Sequence, residues 1–207
     1  MTSRLCNAGL YLLLGLTNMA WGAQPIPGAE DRVEVANVRF NTLRPPDGSS
    51  DNWFEVDIEL DVRPAASSPG RVTKQLRVVA RLAYDRPGGE NSRRWEFFRA
   101  SGELVGLAAG RAHVRFYLPP EIVKRDSLAG APEFWEVAIS GKSLAQQNPP
   151  GRMSPGLSVA EVQQGFRDKL ATEGQANDGL LQVQYMTPFA TAYPRSTPTY
   201  VRHEAWR

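Results

Sequence analysis

The stretch Phe54-Glu55-Val56-Asp57-Ile58-Glu59-Leu60-Asp61-Val62 decides the fold. Its apolar residues take every even position and its four carboxylates every odd one. Side chains that alternate with period 2 belong to a β-strand, so one face is apolar and the other acidic. The even face must be buried against a second layer of structure. After one loop, the stretch from Arg71 to Tyr84 repeats the alternation with the opposite charge. Val72, Leu76, Val78, Leu82 and Tyr84 take its even side, and Arg71, Arg77 and Arg81 the other. An acidic-faced and a basic-faced strand so close in sequence are expected to pair antiparallel, because opposite charges across a ladder help to fix register. The acidic face is expected to be solvated, so Asp57→Ala should cost less than about 1 kcal/mol. Ile58→Asp, in contrast, would bury an unpaired charge and unfold the domain.

Working outward, Val33, Val35, Val38 and Phe40 suggest a first strand whose change of parity calls for a β-bulge at Ala36-Asn37. Arg94 to Arg99, Glu103 to Leu107, Ala112 to Leu118, Glu133 to Ser140 and Leu181 to Tyr185 read as further short strands. Thr199 to Val201 adds a candidate edge strand. Turn-rich stretches such as Asp85-Arg-Pro-Gly-Gly-Glu-Asn91 separate them. Pro119-Pro120-Glu121 opens a short helix to about Asp126. A longer helix is expected over 158–172, with Ser158 and Glu161 as a capping box, Leu157 stapled on Val162, and Val159, Val162, Phe166 and Leu170 on one stripe. The expected fold is therefore mainly β: an immunoglobulin-like β-sandwich of seven or eight strands with one α-helix in the C-terminal half.

Residues 1–22 read as a signal peptide: Arg4, an apolar run from Leu5 to Leu16, then small residues at Ala20 and Gly22. The run is too short for a comfortable membrane span, so no stable span is expected after cleavage. Residues 23–30 form a flexible lead-in, 31–186 the sandwich, and 187–207 a tail rich in proline and aromatic residues. Cleavage would remove Cys6, the one cysteine, leaving no disulfide, zinc–thiolate site or thiol nucleophile. Export places the protein in the periplasm, on the outer envelope or outside the cell.

Charge is nearly balanced, with 24 basic and 22 acidic residues, and no predicted face is uniformly basic, which argues against nucleic acid. Neighbouring carboxylates such as Asp57 and Glu59, about 7 Å apart, could suit an inverting hydrolase, but a solvated face raises no pKa. Asp47 and Asp51 lack calcium-loop spacing. His113 and His203 are too few for a metal site, and no nucleophile motif accompanies them. Gly141-Lys142-Ser143 fails as a phosphate loop because Glu136 stands where glycine is required. No catalytic, cofactor or metal site is assigned, and the chain is not read as an enzyme. Trp53, Trp95 and Trp135 offer the alternative of a secreted carbohydrate-binding module, if two of these rings are exposed and coplanar. In the tail, Tyr193, Tyr200 and Trp206 are candidate partner contacts, set against a tail packed on its own domain.

The order of parts carries one resemblance. The expected leader is followed by Asn52-Trp53-Phe54-Glu55-Val56-Asp57-Ile58-Glu59-Leu60, then Phe134-Trp135-Glu136-Val137-Ala138-Ile139-Ser140-Gly141-Lys142, then a lone helix. This resembles the secreted immunoglobulin-like proteins encoded beside type IV pilus genes in Verrucomicrobia such as Akkermansia, over roughly residues 30–187. The resemblance rests on strand pattern, size and architecture. It implies a non-enzymatic structural or protein-interaction module with envelope or pilus proteins as partners. It does not extend to pilin subunits, whose long N-terminal apolar helix is missing. Oligomeric state is left open.

Overall fold

The computed structural model describes residues 30–87, 93–144 and 151–202. The leader, nearly all of the lead-in, His203 and Trp206 lie outside them. Alternation in the sequence translates directly into two four-stranded sheets, and every strand pairing is antiparallel. Sheet 1 has the order β1 (Arg32–Leu43), β2 (Trp53–Arg63), β5 (Gly110–Leu118), β8 (Gln182–Val183). Sheet 2 has the order β4 (Arg93–Leu104), β3 (Leu76–Pro87), β6 (Phe134–Gly141), β7 (Arg152–Met153). Thus β1, β2 and β5 share one sheet and β3, β6 and β7 the other, with β4 on the free edge of β3. These are the A-B-E and C-F-G strands of an immunoglobulin-like sandwich, with the fourth strand moved to the second sheet.

The core lies between the sheets. Val56, Ile58 and Leu60 of β2 are completely buried against Val78 and Ala80 of β3, Val114 and Phe116 of β5, and Val137 of β6. A bulge between Val35 and Asn37 lets β1 turn Val33, Val38 and Phe40 toward this core, as the parity change required. The stretch predicted over Arg94–Arg99 and the first two residues of that predicted over Glu103–Leu107 form one continuous strand, β4, which ends at Leu104.

The expected pairing of the acidic and basic strands does not occur. β2 lies between β1 and β5, whereas β3 is in the opposite sheet. β1 and β5 carry the matching cations: Arg39 and Arg115 both stand opposite Asp57 in register. Charge complementarity was therefore real but did not identify the partner strand.

The short helix α1 spans Pro120–Arg125, with proline in its first turn and Glu121 near its N-terminus. The longer helix α2 spans Ala160–Thr172. Its N-cap is Val159, with no side-chain cap bond, so the Ser158–Glu161 capping box does not form. Ser158 instead ends a 3₁₀ turn over Pro155–Leu157 and donates its N–H to the Pro155 carbonyl. Leu157 is drawn away from Val162 into a second small core with Ala83, Phe97, Phe166 and Leu170. Val159 and Val162 remain exposed.

Candidate functional site

The odd face of β2 is the richest polar surface in the fold. Glu55 and Asp57 point outward from sheet 1, yet they are only 4% and 6% exposed. The acidic face expected to be solvated is thus buried at Glu55 and Asp57, while Glu59 and Asp61 stay partly exposed. Each carboxylate is answered in place. Glu55 accepts from Tyr117 Oη at 2.8 Å and from Asn41 Nδ2 at 2.9 Å. Asp57 accepts from Arg39 at 3.2 Å, lies 2.9 Å from His113 Nδ1, and faces Arg115 Nε at 3.4 Å. Glu59 pairs with Arg111, and Asp61 with Arg63 at 2.6 Å. A buried carboxylate among cations and donors keeps its charge at tolerable cost, whereas removing one partner leaves the other stranded.

The cover is the chain's own C-terminal segment. Gln184, fully buried, donates to the carbonyls of Phe189 and Ala192 and so folds the 184–192 turn on itself. That turn lays Phe189 flat on Tyr117, with ring centroids 4.4 Å apart and planes 3° from parallel. The segment then returns along sheet 1, where the His113 N–H donates to the Ser196 carbonyl. It crosses to sheet 2, with Val105 N–H to Thr199 O at 2.9 Å and Val201 N–H to Glu103 O at 2.8 Å. Gly102 makes that crossing possible, since a Cβ there would come 3.0 Å from the Tyr200 ring. Burial and the Glu55 charge push the Tyr117 hydroxyl far above its ordinary value, so it remains a neutral donor.

The predicted contact residues separate. Tyr200 turns inward against the main core and packs on Tyr185 at 5.3 Å between centroids. Burial pushes its hydroxyl up to about 12. Tyr193 stays at the rim, 45% exposed, with the Arg115 guanidinium 4.3 Å from its ring centre. Its φ of 57° marks the tip of a tight turn. Trp206 falls outside the described residues. The three tryptophans occupy three different surfaces. Trp53 meets Phe189 edge-on outside sheet 1, Trp135 meets Phe40 toward the core, and Trp95 stacks on Phe134 outside sheet 2. All three are half-buried. Asp47 accepts from the Ser49 N–H in a loop turn, while Asp51 pairs with Lys124 at 2.6 Å.

His113 and Asp57 have the orientation of the base-and-orienter half of a hydrolase site. Here Asp57 is shared with two arginines, and the rim hydroxyl of Ser196 takes a bond from Arg115 and gives one to the Tyr193 carbonyl. The network closes on itself and holds the roof down. Sequence reasoning missed Arg115, Tyr117, Gln184 and Phe189 as members of this network. The signal available was Gly102, a glycine inside a strand, which marks a close approach by another segment.

Fold and network together define an immunoglobulin-like β-sandwich with one sheet roofed by its own C-terminal segment. No protein-family model matches the chain, and no curated protein matches it. Among solved structures, it is similar to a crystal structure of a protein from Akkermansia muciniphila. The TM-score is 0.62 at 16% identity, over 84% of this chain and 95% of the other. At that identity the likeness concerns the fold. Among the described residues, no helix is long and apolar enough to cross a membrane.

Proposed function

We propose that this protein is a non-enzymatic, secreted structural or protein-interaction module that works with a type IV pilus or its assembly in the cell envelope. The observation that carries the reading is the roofed network. Glu55, Asp57 and His113, the groups from which catalysis would be built, are bound to Arg39, Arg115 and Tyr117 beneath the chain's own C-terminal segment. The likeness in fold to a protein from Akkermansia muciniphila supports the same direction, because it arises in the organism type that the sequence pattern resembles. Of the two predicted contact residues that are described, Tyr193 remains available to a partner.

Cross-linking in the native envelope, followed by identification of what is attached, tests this reading. Recovery of a pilus or secretion component is expected, and Tyr193→Ala should weaken it while the domain still folds. Recovery of no such component, with the protein found in the cytoplasm with Met1 intact, would overturn it.

A further inference from the structure

The outward face of sheet 2 is covered by α2 only in part. Beyond the helix lie two adjoining depressions of about 680 Å³ each, which share Arg77 and Ser140. One runs over β3 and β4, past Arg81 and Arg99, to the segment 178–186. The other runs toward Lys74 and Lys142. Arg77 and Arg81 share one strand face, about 13 Å apart by strand rise. Arg99 stands directly across from Arg81 in register, and the Leu76–Gly141 pairing brings Lys142 alongside the start of β3. The cations therefore form a row along a single open trench.

Their charge is only partly answered. Asp178 takes two bonds from Arg99, at 2.7 and 2.6 Å. Glu136 is buried beneath Arg81 at 3.1 Å and is shared with Arg167. Glu103 stands opposite Arg77 in register and accepts from Gln75 at 2.9 Å. Counting Arg167, six cations accompany three carboxylates. Lys74, Arg77 and Lys142 are exposed, and Arg77 donates to Ser101 Oγ at 3.1 Å. Hydroxyl and amide groups of Ser101, Ser140, Gln75 and Gln182 lie between the charges.

We propose that this trench binds a linear acidic polysaccharide, with its sulfate or carboxylate groups set along the row from Lys142 through Arg77 to Arg81. A row of cations interleaved with neutral hydrogen-bonding groups matches a chain that alternates anions and hydroxyls. Both depressions are open to solvent, and the first is also lined by Val79, Leu170, Leu181, Val183, Tyr185 and Met186. Lysine and arginine clusters hold such polyanions by displacing their counterions, so binding weakens as salt rises. This surface is separate from the roofed face and from the tryptophans, and its binding does not depend on the pilus reading.

Immobilised heparin, probed with the full purified chain, is the test. Binding is expected at about 50 mM salt and should fall steeply toward about 200 mM. The double variant Arg77→Ala with Lys142→Ala should lose affinity by about tenfold or more with an unchanged melting temperature. Arg32→Ala with Arg195→Ala removes the same charge elsewhere on the exposed surface and should stay within about twofold. Three results would overturn the proposal: no binding to heparin, an equal loss in both double variants, or equal affinity for polyglutamate, which would make the ligand an acidic peptide.

Discussion

The two outward faces of the sandwich began as a matched pair in the sequence and ended as opposites in the structure. The acidic face of β2 is neutralised by cations from its own sheet and sealed under the C-terminal segment. The basic face of β3 is half covered by α2 and otherwise open, with more cations than carboxylates. The difference follows from what each face can recruit. Sheet 1 has β1 and β5 on either side of β2, both carrying cations aimed at it. Sheet 2 has Glu136 beside Arg81 and sets Arg77 between Glu103 and Ser140, but Lys74 and Lys142 at its end and Arg99 opposite Arg81 leave it with more cations than carboxylates. A charged face that is neutralised within its own sheet can be buried. One that is not stays in water and is available to a charged ligand.

Removing the roof should have the largest effect. Truncation after Met186 deletes Phe189, which is 1% exposed, and Tyr200, and it uncovers Tyr117 and Arg115. Burial of one such aromatic contributes about 2–3 kcal/mol. Together with the lost main-chain bonds, the sum approaches the total stability of a small domain, about 5–15 kcal/mol. The truncated chain should lose its cooperative thermal transition. An unchanged melting temperature would mean that the roof is an accessory and the two faces are alike.

How far each face could be read from sequence depended on the range of the interactions involved. The buried side of β2, the bulge at Ala36-Asn37 and the start of α1 at Pro120 are local patterns, and each was legible. The partner of β2 was not, because Arg39, Arg77, Arg81, Arg111 and Arg115 offer similar charge at similar spacing. Chain topology chooses among them. Ser158 failed as a cap because the 3₁₀ turn over Pro155–Leu157 leaves its backbone helical, at φ −68° and ψ −21°, where an N-cap must be extended. The roof was hardest to see. Proline-broken segments carry no periodicity, and the buried role of Phe189 depends on Gln184 gathering carbonyls several residues away.

A pair of single substitutions sharpens the comparison at intermediate cost. Asp57→Ala would leave Arg115, whose side chain is 7% exposed, with Glu55 at 3.7 Å as its remaining carboxylate among the described residues. Breaking a buried ion pair from one side costs about 3–5 kcal/mol, well above the figure of about 1 kcal/mol expected for a solvated face. Arg77→Ala on the open face should change stability by no more than about 0.5 kcal/mol. Chemical denaturation of both variants measures the contrast. Equal costs would mean that the acidic face is open to water after all.

Asp31 supplies the smallest test and a third way of holding a carboxylate. It is fully buried, and hydrogen bonds rather than a neighbouring cation hold its charge. Its oxygens accept from Ser143 Oγ at 2.5 Å, Ala65 N–H at 2.8 Å, Lys74 N–H at 3.1 Å and Ser68 Oγ at 3.1 Å. Burial alone would push the carboxyl up, but these four bonds outweigh it and hold it below its ordinary value of 3.8. A group whose pKa is depressed by folding adds stability above its unfolded pKa and loses it as pH falls through the folded one. Asp31→Asn replaces an acceptor by a donor facing donors, at a cost of about 1–3 kcal/mol near neutral pH. The gap between the native protein and the variant should be level from about pH 5 to 7 and shrink below about pH 4, as Asp31 itself takes up a proton. Denaturation midpoints across that range read the gap directly. A gap that widens in acid would show that hydrogen bonds without a cation do not keep this carboxylate ionised.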